Sequence, residues 1–314
     1  MVKQITQRIL MLIPLLVIIS FVVFFIINLL PGDATIAMAA DGADQAYIDH
    51  LRSMMGLDQP PLQRYLSWIW NILHGNFGNS LITNIPVLQT ILLRLPVTLE
   101  ITLFAMIISV IIAVPLGILS AVKQNSIFDT IGSVVSMFSI ALPSFWLGIL
   151  LILVFSVKLQ WLPATGFVAF TTDPVKNLKS VILPAISIGT AFAATVMRQT
   201  RSALLEVMDQ DYIMTAWAKG LHERVVIWKH ALRNALIPVV TVTTMQIGRL
   251  IGGAAVTETV FAIPGIGRSI VDAILTRDYP LVMGMILTVA IFVVVINTVV
   301  DVIYIFIDPR IRTM

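Results

Sequence analysis

The chain has 314 residues, 58% of them hydrophobic and only 12% charged, with a formal net charge of +3. Soluble domains carry roughly a quarter charged residues, so this deficit names lipid as the main solvent and excludes an ordinary soluble globule. The absence of cysteine removes disulfides, thiolate nucleophiles and Cys-ligated metals, and the basic residues form no single patch of the kind that holds nucleic acid.

Six apolar runs are long enough to span a bilayer: 9–30, 97–121, 131–157, 181–200, 236–257 and 283–307. A hydrocarbon core of ~30 Å needs about 20 residues at about 1.5 Å each. Lys3 and Arg8 ahead of the first run give it the look of a signal peptide, and ATIAMAA at 34–40 contains small-residue cleavage patterns. The run Ile9–Leu30 is nevertheless longer than the usual ~7–15-residue apolar core of a signal, so an uncleaved anchor is expected. With the N-terminus inside, the inner pieces hold eleven Lys and Arg residues and the outer pieces eight, over much more loop. That density places both termini in the cytoplasm of a multi-pass protein.

Residues 31–95 form the largest expected soluble piece, an extracytoplasmic helical insert. Helical spacing shows in YIDHLRSMMGL and again at Leu62, Tyr65, Leu66, Ile69 and Ile72. Trp68 and Trp70 suit a lipid interface, and Gly75, Gly78 and Pro86 mark turns. A packed lid and a docking surface for a soluble partner both fit, and the local acidity of Asp33, Asp41, Asp44, Asp49 and Asp58 suits either.

Asp211 to Val240 reads DYIMTAWAKGLHERVVIWKHALRNALIPVV, a charged helix-forming loop between two apolar runs. Tyr212–Lys219 is expected as a short helix capped by Asp211 and ended by Gly220 in a left-handed conformation. A second helix is expected over roughly His222–Ala235, with Pro238 in the first turn of the fifth span. Topology alone explains the charge of this loop, but not two short helices about a glycine pivot.

Arg249 is the most costly polar group within the spans, ~12–14 Å from the outer end at about 1.5 Å per residue. It either lines a pathway or pairs with Glu100 of the second span. Asn297 and Asp301 share a face of the sixth span and suit hydrogen bonding between helices. Gly248 and Gly252 form GxxxG, and Ala185, Gly189 and Ala193 repeat at four-residue spacing, both suited to close helix contact. FAIPGIGRSIVDAIL predicts a turn at Pro264-Gly265 and then a short helix, a gate-like element or ordinary loop closure. His50, His74, His222 and His230 form no HxxxH or HExxH pair.

TAWAKG followed by HALRNALIPVV resembles the cytoplasmic EAA loop of bacterial ABC importer permeases, with Met214-Thr215-Ala216 at the EAA positions and Gly220 as the loop glycine. Pro238 lies farther from Gly220 than in the general importer pattern, as in the dipeptide/oligopeptide/nickel type. LPGDA at 30–34, GLDQP at 56–60, FGNS at 77–80, PVTLEITL at 96–103, WLPATG at 161–166, ETVFAIPGIGRSIVDAILTRDYP at 258–280 and NTVVDVIYIFIDPRI at 297–311 extend the resemblance along the whole chain. It is to the B-type subunit of that type.

The resemblance implies an all-α polytopic protein of the type I ABC importer permease fold: a first transmembrane helix at 1–30, the insert at 31–95, and a transmembrane type-1 domain at 96–308. A coupling loop at 201–235 and a cytoplasmic tail at 309–314 complete it. The implied location is the bacterial cytoplasmic membrane. The implied partners are a C-type permease subunit, two cytoplasmic ATPases, and an extracytoplasmic substrate-binding protein. Thr215, Ala216, Lys219, Gly220, Leu221, Arg224 and Arg233 are the implied coupling residues, with Ala216 and Gly220 giving the close fit. The chain has no GxxxxGK[ST] loop, so Mg-ATP is expected on the partner subunits and no cofactor on this one. Short peptides are the expected cargo, and nickel, another metal chelate or glutathione the alternatives. An ion-driven secondary transporter would show midplane acids and paired halves, which this chain lacks.

Overall fold

A computed structural model describes residues 2–29 and 58–307. The Tyr47–Leu57 helix expected in the insert, four of its five aspartates and the 309–314 tail lie outside the described residues. Among those described there is no named strand. The helices are α1 (Val2–Leu29), α2 (Pro61–Leu73), α3 (Val87–Val122), α4 (Ile127–Ala141), α5 (Ser144–Lys158), α6 (Pro174–Met208), α7 (Asp211–Ala218), α8 (Glu223–Met245), α9 (Ile247–Val260), α10 (Ile266–Leu275) and α11 (Tyr279–Ile307).

Among the described residues α3, α6, α8 and α11 are long and apolar enough to cross a membrane, with α4 and α5 a fifth span if counted together. The described apolar part of α1, Leu10–Ile26, is shorter. Of the six expected spans, the third and the fifth differ from the expected runs. The third is bent by 103° between α4 and α5. Pro143 disfavours helical dihedrals at the preceding residue, and Leu142 is extended at φ −75° and ψ 126°. The fifth span also differs from the expected 236–257: α8 begins at Glu223, and α9 starts anew beyond Gln246.

The described residues divide into two compact units, one within 99–263 and 296–307, the other within 2–98 and 264–295. In the second unit α2 docks on α1 through Tyr65, which is buried, shares a 2.9 Å hydrogen bond with Ser20 and stacks edge-on against Phe21 and Phe24. The amphipathic face expected of α2 is only partly used for packing. Leu62 and Leu66 are 60% and 59% exposed and Trp70 65%, a stripe suited to a lipid interface. Val87 and Ile91 of α3 pack with Ile266 of α10 and Met285 of α11. The predicted short helix is present as Ile266–Leu275, but the turn before it falls at Phe261-Ala262, with Ala262 at φ 52°, and not at Pro264-Gly265.

In the first unit α6 is the central helix, because its small and apolar residues recur on more than one face. Asp173 caps it, accepting from the N–H groups of Val175 and Lys176 at 3.1 Å each. Those bonds, that of Lys176 first, hold the Asp173 carboxyl below its ordinary range. Ala185 and Gly189 of the small-residue series are buried. A Cβ on Gly189 would stand 2.5 Å from Ser109 Oγ and 2.9 Å from the Ala105 carbonyl of α3. Gly189→Val should therefore lower stability by about 1–3 kcal/mol, as overpacking does. Thermal unfolding of the detergent-solubilised protein checks this, and an unchanged midpoint would mean that α3 and α6 are not so close.

Candidate functional site

Helix α7 is a short rod with two unlike faces. Ile213 and Ala216, three residues apart, are buried, whereas Met214, Thr215, Ala218 and Lys219 are exposed. The expected N-cap is displaced by one residue. Gln210 holds that position without a capping side-chain bond, and Asp211 sits inside the first turn, where its charge complements the helix dipole. The C-terminal end is as predicted. Gly220 has φ 73°, the Gly220 N–H donates to the Trp217 carbonyl at 2.9 Å, and the Leu221 N–H donates to the Ala216 carbonyl at 3.4 Å. That pair of bonds is a Schellman ending, which satisfies the last carbonyls and requires a left-handed residue.

The next helix is longer than expected. It runs from Glu223 through Pro238 to Met245, with π-helical geometry over Val226–Ala231. Pro238 is thus an interior residue rather than one of a first turn, and apolar surroundings accept such prolines where other groups satisfy the freed carbonyl. Val226, Ile227, Ala231, Leu232, Ala235 and Val239 are buried; Arg224, Lys229 and Arg233 are exposed. Asn234 Nδ2 donates to the Tyr212 hydroxyl at 2.7 Å, tying α8 to α7. Beside that bond Lys229, His230 and Arg233 line a cleft of about 680 Å³. Arg224 lines another, of about 480 Å³, with Lys123 and Trp228.

Of the sequence-predicted coupling residues, Thr215, Lys219, Gly220, Leu221, Arg224 and Arg233 are exposed and Ala216 is 7% exposed. Ala216 therefore lets α7 lie close to its own chain. Ala218 is the small residue on the outward face.

Arg249 is exposed and lines an open cavity of about 340 Å³ with Gln246, Thr195, Ser144, Phe192 and other apolar residues of the first unit. Its described side-chain bond is to Gln246 Oε1 at 3.4 Å, while Glu100 accepts from Asn177 Nδ2. Those partners replace the expected Arg249–Glu100 pair. Gly248 is half-buried, and a Cβ on Gly252 or Gly253 would meet nothing within 4 Å. The Gly252 end of GxxxG is thus open among the described residues. Asn297 is exposed and makes no side-chain hydrogen bond among the described residues, so the expected bond between helices is absent there. The Asp301 side chain lies outside the described residues.

Sequence reasoning missed a polar cluster at the start of α4. Asp129 accepts two bonds from Arg201 of α6, Nε to Oδ1 at 2.6 Å and Nη2 to Oδ2 at 2.8 Å. Ser120 also donates to Oδ1, and the Asn125 N–H donates to Oδ2 at 3.0 Å. The side chains are only 7% and 27% exposed. A local signal exists: Ser126 and Asp129 form an S-x-x-D start, and Ser126 Oγ accepts from the Asp129 N–H at 3.4 Å.

Long apolar helices mark the chain as a multi-pass membrane protein. The chain belongs to the family described as binding-protein-dependent transport system inner membrane component, which matches residues 113–313, with the corresponding N-terminal family matching 1–102. A Brucella abortus chain named for a peptide transport system permease is 42% identical over 312 residues, 99% of each chain. The dipeptide transport system permease proteins DppB of Alkalihalophilus pseudofirmus and Escherichia coli K12 are 42% and 38% identical, over 98% and 99% of each chain.

Proposed function

We propose that this chain is one permease subunit of an ATP-driven importer of short peptides. Full-length likeness to chains named for dipeptide transport carries the reading. The relatives reported above are named for peptides, so nickel is not favoured as cargo. The second permease subunit covers the open Gly252–Gly253 face. Two ATPases that bind Mg-ATP take the outward face of α7, and a substrate-binding protein delivers cargo from outside. The excess of basic residues puts the 201–235 segment and both termini in the cytoplasm. Met214, Thr215, Ala218 and Lys219 meet the ATPase surface, Gly220 and Leu221 form the pivot, and Arg224 and Arg233 flank it. A rod fixed at Ile213 and Ala216 and tied to α8 through Tyr212 passes a push on its outer face to the spans.

The test is uptake of a labelled dipeptide by liposomes holding the full complex. Uptake should require ATP inside and binding protein outside. Uptake driven by an ion gradient without ATP would overturn the reading.

A further inference from the structure

We infer that the Arg249 cavity is a subsite for the α-carboxylate of the peptide in transit, an inference that rests on the peptide-importer reading. Arg249 stands three residues after Gln246, where α8 passes into α9, and Ser144 begins α5 just beyond the 103° break between α4 and α5. The α4–α5 break and the α8–α9 junction meet the middle of α6 at one open cavity of about 340 Å³, within the ~300–1,000 Å³ range of small-ligand clefts. Irregular backbone at membrane depth is tolerated where it lines a cavity, and broken helices form the substrate sites of other transporters.

The chemistry of the lining is one-sided. Arg249 is its charged member, and no acid stands among the lining residues. A guanidinium stays protonated, so within a membrane it needs an anion, a dipole or water. Gln246 supplies a dipole at 3.4 Å and leaves most of the five donors open. The planar fork of arginine matches a carboxylate through two parallel bonds. Across the cavity Ile188 and Phe192 of α6 offer an apolar wall. A carboxylate is the anion that every unmodified short peptide carries. Apolar walls tolerate side chains of different size with little discrimination. The cavity thus reads what peptides share and ignores what distinguishes them.

The test uses the full complex with its binding protein in liposomes and a free-acid dipeptide. Arg249→Gln should lower uptake about tenfold or more, the scale of a lost charge-assisted hydrogen bond. Stimulation of ATP hydrolysis by loaded binding protein should stay within about twofold of wild type in that variant, because Arg249 is not part of the ATPase contact. Arg249→Lys, which keeps the charge and loses the fork, should recover part of the uptake. Cross-linking of the complex by a photoreactive dipeptide should fall in Arg249→Gln and persist in Arg249→Lys. If Arg249→Gln transports like wild type, or loses ATPase stimulation together with uptake, the carboxylate subsite is wrong while the importer stands. If the wild type itself shows no ATP-dependent peptide uptake, the importer reading fails.

Discussion

Asp129→Ala is expected to lower the unfolding free energy of the detergent-solubilised protein by about 3 kcal/mol, at the low end of the ~3–5 kcal/mol for breaking a buried ion pair. The loss arises less from the missing attraction than from the charge left behind. Arg201 would keep its guanidinium at 27% side-chain exposure, beside Ser120 and without its carboxylate. Arg201→Ala should do less harm, because Ser120 and the Asn125 N–H continue to satisfy Asp129. The double variant should recover part of the loss of Asp129→Ala, since no unpaired charge remains. Denaturant unfolding of all four proteins closes the cycle. An Asp129→Ala loss below about 1 kcal/mol would show instead a solvated surface pair.

Gly220→Val should reduce peptide uptake about tenfold or more while the assembled complex still hydrolyses ATP, as expected when a small misplacement disrupts a coupled geometry. Gly220 has φ 73° and open space where a Cβ would stand. The variant therefore meets no neighbour. It pays only the left-handed backbone cost of about 1–2 kcal/mol, and the Schellman ending relaxes to avoid it. The chain then leaves α7 in another direction, and the tie between Tyr212 and Asn234 no longer sets the angle of the rod. Gly220→Asn tests the cause, because asparagine enters the left-handed region more readily than other side chains. Its uptake should stay close to wild type. Equal loss in both variants would place the role of Gly220 in contact with a partner rather than in backbone conformation.

The difference between Gly220 and Ala216 marks what was legible in the amino-acid sequence. Helix termination is local, so a glycine at the end of a short helical run announced its own dihedral. Which face of α7 packs is not local, and Ala216 turned inward. Pro143 stood in plain view inside a run that is apolar throughout, but length and hydropathy do not register how a proline restricts the residue before it. Pro238 shows the converse, a proline accepted inside a helix. GxxxG at Gly248 and Gly252 records that a backbone is bare, not what covers it. The Asp129–Arg201 pair was hidden by a separation of 72 positions, and Arg249 was recognised by its cost alone, without the cavity it lines. Long apolar runs were sufficient for the membrane class and for most of α3, α6 and α11.

That separation also sets a timetable during synthesis. At about 5–20 residues per second, Arg201 leaves the ribosome about 4–14 seconds after Asp129. Ser120 and Asn125, both made before Asp129, already supply donors to its two oxygens. Two of the four donors to Asp129 thus precede it in the chain, and the two from Arg201 are made 72 positions later.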